Sequence, residues 1–551
     1  MVVYRSDSLL SMDRLSRAVA GICLTLGLTL AVAGPASASV GELFQPSGTA
    51  GCVADTAVTS GCREARGAEG LSAITVAPNG RYAWALGETA GSVVVLDRTL
   101  KNGELKQKAG TAGCVSEDGT DGECVVGRAL TAPTRLAVSP DGKSLYVSSE
   151  TEATIAVFDV LEGGSLVQKP GTAGCIAAAT AGCTMSAGIA EPTGVVVSPD
   201  GRSVYVSDSN LNGVLNFDRL ADGSLVAKAG ALACVSEDGS GGACTDGRAL
   251  SGASDVIVSP GSDDVYVAAT EADAVAVLDR ATSGKIVQPA GTEGCVMVDG
   301  ASSNCTDARA LDGALRLAVS PDGENVYLSA LISDAISVFD RDQGDGSLSQ
   351  KSGTAGCISK DGVGGECAIG RAIGFTFDLA LTSDGRSLYA ASRTSTADGA
   401  IAVLERSIDT GVLSQSSGDD GCVSPNRSED CSSGRALDTP AGIAASSDGT
   451  SVYAVSFSDS AVAIFDRSPV GPRATFRQVP GASTSSRKAV FKFSSSLPGA
   501  TFECRIDGKA FAVCGATTIF KKISRGRHTV AVRAVKNLSP GKAVKYSWRV
   551  R

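Results

Sequence analysis

Short apolar segments of five to seven residues, rich in Val, Ile and Ala and often alternating with polar positions, recur along most of the chain. One group reads RLAVSPDG (135–142), SLYVSSE (144–150), TIAVFDV (154–160) and GSLVQK (164–169). A two-residue period and β-branched composition are typical of strands. Pro140, Asp141 and Gly142 form a turn because proline fixes φ and glycine tolerates positive φ. Each group therefore predicts four short antiparallel strands.

Seven copies of this group follow one another, each with a pair of cysteines. The first cysteines, from Cys52 to Cys422, are 62, 61, 59, 61, 62 and 65 residues apart. Four-stranded units repeated in this way are typical of propeller blades. The seventh copy lacks a fourth strand, whereas GELFQ (41–45) matches the fourth-strand segment GELKQK (103–108). We therefore predict an all-β, seven-bladed propeller over 39–468, with strand 41–45 closing the last blade and removing free sheet edges.

The repeated turn and strand residues resemble a known family. VAVSPDG-type turns followed by VYV and then IAVFD are similar to the YVTN/lactonase-like seven-bladed propellers of bacteria, over roughly residues 40–467. The resemblance implies the fold, and it raises the possibility of a lactonase activity. Members that do chemistry use histidine with arginine and glutamate in the upper pocket, whereas the single histidine of this chain, His528, lies outside the propeller.

The pattern changes after Pro469 and Pro472. Residues 473–551 carry 17 Lys and Arg against only Glu503 and Asp507, although the whole chain has a net charge of −10. Strand-like segments of a different length follow a linker at 469–474, and 475–551 resembles the small immunoglobulin-like β-sandwich modules of exported bacterial proteins. The basic surface predicts attachment to an anionic envelope polymer or docking on the acidic propeller.

The first 38 residues have the pattern of a secretory signal peptide. Arg5, Arg14 and Arg17 precede an apolar run (18–34), and Ala36-Ser37-Ala38 is a small-x-small cleavage signal. A membrane anchor is the alternative, although the run is shorter than the roughly 20 residues of a span. We therefore expect a secreted, extracellular or envelope-associated protein, cleaved near Ala38.

Sixteen cysteines remain after Cys23 is removed with the signal peptide, and all fall in close pairs. An even count of locally paired cysteines in an exported chain predicts disulfides. The expected pairs are Cys52–Cys62, Cys114–Cys124, Cys175–Cys183, Cys234–Cys244, Cys295–Cys305, Cys357–Cys367, Cys422–Cys431 and Cys504–Cys514. In the propeller we expect each cysteine loop to be the crossover from one blade to the next.

An arginine follows most of these loops, at Arg66, Arg128, Arg248, Arg309, Arg371 and Arg435, with Ala187 in the third copy. A ring of guanidinium groups around the channel would suit an anionic ligand. Alternatively, each arginine pairs with loop carboxylates such as Glu117, Asp118, Glu237 and Asp238. The acidic loops do not match a calcium-loop spacing, so no metal or other cofactor is expected. A recurring tyrosine in the second strand predicts blade-to-blade packing.

No catalytic residue stands out, because the propeller lacks histidine and paired cysteines supply no thiolate. The sequence therefore favours a monomeric binding or scaffold protein. Its disulfide-closed loops on the top face of the propeller would recognise an anionic ligand, a glycan or a protein. A lactonase-type hydrolase or isomerase acting on a sugar or organic-acid lactone is the alternative. Nucleic acid is not expected as a partner, since the chain is exported and lacks aromatic stacking platforms.

Overall fold

A computed structural model describes residues 41–55, 57–298, 304–393, 398–467, 474–495, 501–536, 539–540 and 543–551. Within these ranges the chain is all-β, with short 3-10 turns and no α-helix. The expected signal peptide (1–38) and most of the linker (469–474) lie outside the described residues.

Seven six-stranded sheets make up the described propeller. In each, three antiparallel strands form the inner part. The second strands are buried along nearly their whole length, so both faces of the sheet pack on neighbouring sheets. The first strands are Leu71–Val76, Pro133–Val138, Pro192–Val197, Ala253–Val258, Ala314–Val319, Asp378–Leu381 and Pro440–Ala445. The second strands are Tyr82–Gly87, Ser144–Ser149, Ser203–Asp208, Asp264–Ala269, Asn325–Ala330, Ser387–Arg393 and Ser451–Ser456. The third strands are Ser92–Arg98, Thr154–Val160, Gly213–Arg219, Ala274–Arg280, Ala335–Arg341, Gly399–Arg406 and Ala461–Arg467.

The outer part of each blade consists of three shorter strands. A fourth and a fifth strand both pair antiparallel with the third, and a 3-10 turn such as Gly110–Gly113 separates them. The fourth strands are Leu105–Gln107, Leu166–Gln168, Leu225–Ala227, Ile286–Val287, Leu348–Gln350, Leu413–Gln415 and Leu43–Phe44. The fifth strands are Cys114–Ser116, Cys175–Ala177, Cys234–Ser236, Cys295–Val298, Cys357–Ser359, Cys422–Ser424 and Cys52–Ala54. The sixth strands are Val125–Val126, Thr184–Met185, Thr245–Asp246, Thr306–Ala308, Ala368–Ile369, Ser432–Ser433 and Arg63–Glu64.

The two ends of the propeller segment share one blade. Leu43–Phe44 pairs antiparallel with the end of Ala461–Arg467, and Cys52–Ala54 pairs with the beginning of that strand. The first strands of successive blades contact one another in order, and that of blade 7 contacts that of blade 1. The sheets therefore close into a ring, with the first strands around the axis.

The cysteine loops lie at the outer edge of the blades. Cys114 begins the fifth strand, and the chain after Cys124 forms a sixth strand parallel to it. The expectation of a simple crossover loop was wrong in this respect, because the loop adds two strands to the sheet before the chain moves to the next blade. All eight expected disulfides are present.

A buried hydrogen-bond chain joins neighbouring blades on the face opposite the cysteine loops. Tyr205 donates its hydroxyl hydrogen to the carbonyl of Gly284 at 2.8 Å and accepts a bond from Arg280 Nε at 2.8 Å. Arg280 also donates to the carbonyl of Ser262 and to both carboxylate oxygens of Asp200. The same tyrosine–arginine contact occurs in six seams: Tyr453–Arg98, Tyr146–Arg219, Tyr205–Arg280, Tyr266–Arg341, Tyr327–Arg406 and Tyr389–Arg467.

The seam between blades 1 and 2 lacks this arginine, and its partners change with it. Val160 stands at the arginine position, Trp84 at the tyrosine position and Asn79 at the aspartate position. Trp84 still donates to a glycine carbonyl of the next blade, Gly164, at 3.0 Å. The tyrosine and the arginine are lost together here, whereas the aspartate position also varies elsewhere: Gly261 stands there in blade 4, and Arg341 binds Asp264 instead.

The C-terminal part contains two further sheets around a separate aromatic core. One sheet contains Ala474–Gln478, Ala489–Ser495 and Thr517–Phe520, and the other contains Ser483–Thr484, Thr501–Ile506, Ala512–Cys514, Gly526–Lys536, Ser539–Pro540 and Val544–Val550. Phe491, Phe493 and Trp548 are buried between them. This is a small β-sandwich; its immunoglobulin-like identity stays a prediction.

Replacing Arg280 by methionine tests the seam. The variant leaves Asp200 and the Tyr205 hydroxyl without their partner, and loss of one member of a buried pair costs about 3–5 kcal/mol. We expect a clearly lower urea midpoint, whereas Lys285→Met, which removes an exposed charge of the same blade, leaves it unchanged. Equal midpoints for the two variants would contradict a structural role of the seam.

Removing one disulfide tests the outer edge. The double variant Cys114→Ser/Cys124→Ser opens a loop of about 11 residues, which costs about 3 kcal/mol in the chain-entropy model. We expect a lower unfolding midpoint under non-reducing conditions. Glu123→Gln, an exposed change in the same loop, serves as the control; a double variant as stable as this control would show that the bridge does not hold the edge.

Candidate functional site

One aligned position of the first strands departs from the repeat; it is the third residue of the strand in six blades and the first in blade 6. The strands surround the axis, and this position carries, from blade 1 to blade 7, Ala73, Arg135, Gly194, Asp255, Arg316, Asp378 and Gly442. The next position along each strand is instead apolar in all seven blades. Four charges in a ring of otherwise equivalent positions mark a site, because a structural repeat gives no reason for them to differ.

Arg316 and Asp255 are interlocked across the seam between blades 4 and 5. Arg316 donates to the carbonyl of Ser254, and Asp255 accepts from the backbone N–H of Leu317 at 2.9 Å. Burial lowers the pKa of Arg316 to about 10, and repulsion by Arg135 acts in the same direction. Burial raises the pKa of Asp255, against the attraction of Arg316. The Nε of Arg316 is buried and has no hydrogen-bond partner among the described residues.

Residues of three other blades act on Arg316. Its pKa responds to Arg135 of blade 2, to Asp255 of blade 4 and to Asp378 of blade 6. Asp378 is held at the first strand of blade 7, where the backbone N–H of Ile443 donates to it at 2.9 Å. These side chains therefore converge on the axial channel rather than lying separately within their blades.

Two glutamates follow the second strands of blades 1 and 2 at the same end of the channel. Burial raises the pKa of Glu88, the neighbouring Glu150 raises it further, and Arg135 opposes both effects. Burial also raises the pKa of Glu150, with repulsion from Glu191 next in size and attraction by Arg316 opposing it. Half-buried carboxylates with raised pKa values beside arginines are the groups from which enzymes build general bases.

This end of the channel is on the cysteine-loop side of the propeller. The first strands begin there, and the second strands end there before Glu88 and Glu150. We call the set Glu88, Arg135, Glu150, Asp255 and Arg316 the channel mouth. Among the described residues, no group of three or more His, Cys, Asp or Glu is placed to hold a metal ion.

The six arginines expected to bind a ligand lie at the outer edge, between blades. Arg128 donates its side-chain N–H to the carbonyl of Gly171 in the next blade, and Arg248 donates to Pro289 at 2.8 Å and to Gly291. Equivalent carbonyl contacts are made by Arg66, Arg309, Arg371 and Arg435. They are not placed around the channel, and a role in ligand binding stays a prediction.

The alternative partners of these arginines were also different from those expected. Glu117 accepts from the backbone N–H of Leu130 at 2.9 Å, and Asp118 accepts from that of Thr120 at 2.8 Å, within their own loop. The arginine is instead coupled to a glutamine: Gln168 accepts from Arg128 N–H and donates to the Arg128 carbonyl. Where Ala187 replaces the arginine, Ala227 replaces the glutamine of the next blade.

Sequence reasoning missed the channel mouth. Its signal was present, since aligned copies differ at one strand position while turn and strand residues around it repeat. The expectation that a repeated residue marks the site directed attention to the arginines instead. In this propeller, residues that recur from blade to blade stabilise the fold, and residues that differ between blades mark the candidate site.

Comparison with known proteins supports the fold. Residues 69–175 match the family model described as lactonase, 7-bladed β-propeller. Over these residues the chain is similar to the propellers that this model describes. No curated protein matches it.

Two solved structures illustrate how distant the similar propellers are. The periplasmic gluconolactonase of Pseudomonas aeruginosa is 17% identical, with 86% of this chain and 99% of that chain covered at a TM-score of 0.43. Hydrazine synthase of Kuenenia stuttgartiensis is 15% identical, with 72% and 96% covered at a TM-score of 0.42. Likenesses at this level carry no argument about activity.

The pKa of Glu150 gives a test of the site's electrostatics. Because folding raises this pKa, the folded state binds the proton more tightly, and the stability that the proton confers is lost as pH rises through the folded pKa. Glu150→Gln removes the cost of burying the ionised carboxylate. We therefore expect the urea midpoint of the variant, relative to that of the unmodified protein, to increase as the pH is raised from 4 to 8.

Glu162→Gln, an exposed change on the opposite face, controls for the loss of a charge. A difference between Glu150→Gln and the unmodified protein that is constant over this pH range would show that Glu150 titrates like a solvated carboxyl.

Proposed function

We propose that the protein is a lactone hydrolase whose reaction takes place at the channel mouth. The observation that carries the proposal is the convergence of Arg135, Arg316, Glu88 and Glu150 on the channel of a lactonase-type propeller, at positions where the repeat is broken. Carboxylate bases beside cations supply what lactone hydrolysis needs, namely a proton acceptor for water and stabilisation of an oxyanion. A histidine is not required for this chemistry.

Glu150 is assigned the role of general base. Its carboxylate takes a proton from water, and the hydroxide adds to the lactone carbonyl carbon. Arg135 and Arg316 stabilise the negative charge that develops on the carbonyl oxygen. The ring C–O bond then breaks, and protonated Glu150 returns its proton to the departing oxygen, giving a hydroxy acid. Lactone and water together account for every atom of this product.

The raised pKa of Glu150 suits this role. A base with a pKa closer to the working pH accepts a proton more readily than an ordinary, solvated glutamate. The same burial makes the arginines more effective, since charge interactions are stronger where water is partly excluded. Asp255 then keeps Arg316 in place without meeting the substrate.

The expectations about export, oligomeric state and envelope attachment are proposals that do not depend on the channel mouth. Eight disulfides are consistent with an extracellular protein, and no helix among the described residues is long and apolar enough to cross a membrane. We propose export through the signal peptide 1–38, a monomeric state, and binding of the basic C-terminal part to an anionic envelope polymer. Recognition of a glycan or protein by the loops is a separate binding hypothesis.

Hydrolysis of small lactones by the purified protein tests the proposal. Glucono-δ-lactone, γ-butyrolactone and dihydrocoumarin cover sugar, aliphatic and aromatic rings, and acid release is followed with a pH indicator. We expect turnover of at least one of them, and a fall in kcat of at least about 100-fold in Glu150→Gln, as removal of a general base produces.

The matched control is Glu162→Gln, which removes an exposed glutamate on the opposite face of the same blade. Its activity should equal that of the unmodified protein. Rates no higher than in buffer for all three lactones, or full activity in Glu150→Gln, would refute the assignment.

A further inference from the structure

A second cavity adjoins the channel mouth on the side of blades 6, 7 and 1. It has a volume of about 340 Å³, and Glu88, Phe377, Arg393, Pro440 and Phe457 are among the residues that line it. Glu88 is shared with the channel mouth, where it interacts with Arg135 and Glu150. The cavity is therefore continuous with the proposed reaction site rather than a separate depression.

The side chain of Arg393 has no hydrogen-bond or ion-pair partner among the residues that the structure describes around this cavity. It ends the second strand of blade 6, where blades 1 and 2 have Glu88 and Glu150 one residue beyond the strand. Its Nε is buried and makes no hydrogen bond to any described residue, and no ion pair to the side chain is found among them. The guanidinium lies 5.2 Å from the ring centre of Phe377, a cation–π contact that leaves the N–H groups available.

An unpaired, half-buried guanidinium lowers the stability of the folded state unless an anion pairs with it. The arginines of the seams show the contrast, since Arg280 satisfies three N–H groups with Tyr205, Ser262 and Asp200. Arg393 has the geometry for a bidentate contact with a planar carboxylate, the pairing that arginine makes best. The missing partner of Arg393 is therefore expected to come from a ligand.

Part of the remaining wall is aromatic and apolar, and the rest carries hydroxyl groups. The apolar part is formed by Phe377, Pro440, Ala441 and Phe457, and the hydroxyl groups belong to Ser72, Thr439 and Ser458. Phe457 stays 39% exposed, and Phe377 is only half-buried, although most large apolar side chains of the propeller are fully buried. A polar sugar phosphate would leave the two aromatic surfaces unused, whereas an aryl or acyl group would bury them. The cavity thus combines the Arg393 cation and the Glu88 carboxylate with a partly aromatic wall.

A strained phenylalanine stands beside this cavity in sequence. Phe375 has φ +46° and exposes 50% of its side chain. The equivalent position is glycine in blades 1, 4 and 5, at Gly70, Gly252 and Gly313, also with positive φ. Ala132 and Thr439 hold this position with positive φ in blades 2 and 7, so the backbone conformation belongs to the repeat. Phe375 adds an exposed aromatic side chain two residues before Phe377.

From these observations we propose that the Arg393 cavity is a subsite for a carboxylate attached to an aromatic or acyl group. The inference rests on the proposed function, because the group bound here would be a substituent of the lactone that reacts at the channel mouth. It names a substrate class, amphipathic organic-acid lactones, in place of hydrophilic sugar lactones.

Equilibrium binding of simple acids tests the subsite without any reaction. Titration calorimetry compares 3-phenylpropionate with acetate, gluconate and inorganic phosphate. We expect 3-phenylpropionate to bind at least about tenfold more tightly than each of the other three, since burial of a phenyl group and a charged hydrogen bond both contribute. Gluconate or phosphate binding as tightly as 3-phenylpropionate would overturn the apolar assignment.

Two variants locate the binding. Arg393→Gln should weaken 3-phenylpropionate binding at least about tenfold, and Phe457→Ala should remove most of its advantage over acetate. Arg202→Gln, which removes an exposed arginine on the opposite face, is the control and should bind normally. Thermal unfolding of each variant checks that the propeller is intact; unchanged binding by both Arg393→Gln and Phe457→Ala would overturn the subsite.

The outcome separates the subsite from the reaction. Binding that depends on Arg393, together with no hydrolysis of any lactone, would leave the subsite standing and refute the proposed function. Lactone hydrolysis that depends on Glu150, with 3-phenylpropionate binding indifferent to Arg393 and Phe457, would support the function and refute the subsite.

Discussion

The rest of the structure depends on the contact between neighbouring blades. A blade of short strands with few aromatic residues cannot form a core alone, so its apolar faces must be covered by the blades on either side. The tyrosine–arginine–carbonyl chain fixes neighbouring blades against each other in six of the seven seams. At the last seam, Tyr389 donates to the carbonyl of Gly41 at 2.7 Å, so the same contact also ties the N-terminal segment into the ring.

Function and stability occupy different positions of the same repeat. The seam arginines with their tyrosines, the outer arginines with their glutamines, and the disulfides recur from blade to blade. Where an arginine is absent, its tyrosine or glutamine partner is absent too. Arg135, Asp255, Arg316, Glu88 and Glu150 do not recur. The symmetric ring provides a rigid backbone around the channel, and the few residues that differ between blades provide the chemical groups of the site. The site residues can therefore be substituted without destabilising the fold.

Much of the fold could be predicted from sequence, because each strand carries its own two-residue pattern and the SPDG turns mark where strands meet. Local cysteine spacing likewise predicted every bridge. The outer strands were missed because Val125–Val126 and its equivalents are too short to show a period. The channel mouth was missed because Arg135 and Asp255 lie far apart in sequence and become neighbours only when the ring closes.

The central claim is that ligands bind at the repeat-breaking channel mouth and not at the repeated outer arginines. A crystal structure of the protein grown with 3-phenylpropionate and a hydroxy acid product of lactone hydrolysis, such as gluconate, measures this directly. The account predicts electron density for ligand between Arg316, Glu150 and Arg393. Ordered ligand at Arg128 and its equivalents, with the channel mouth holding only solvent, would contradict it.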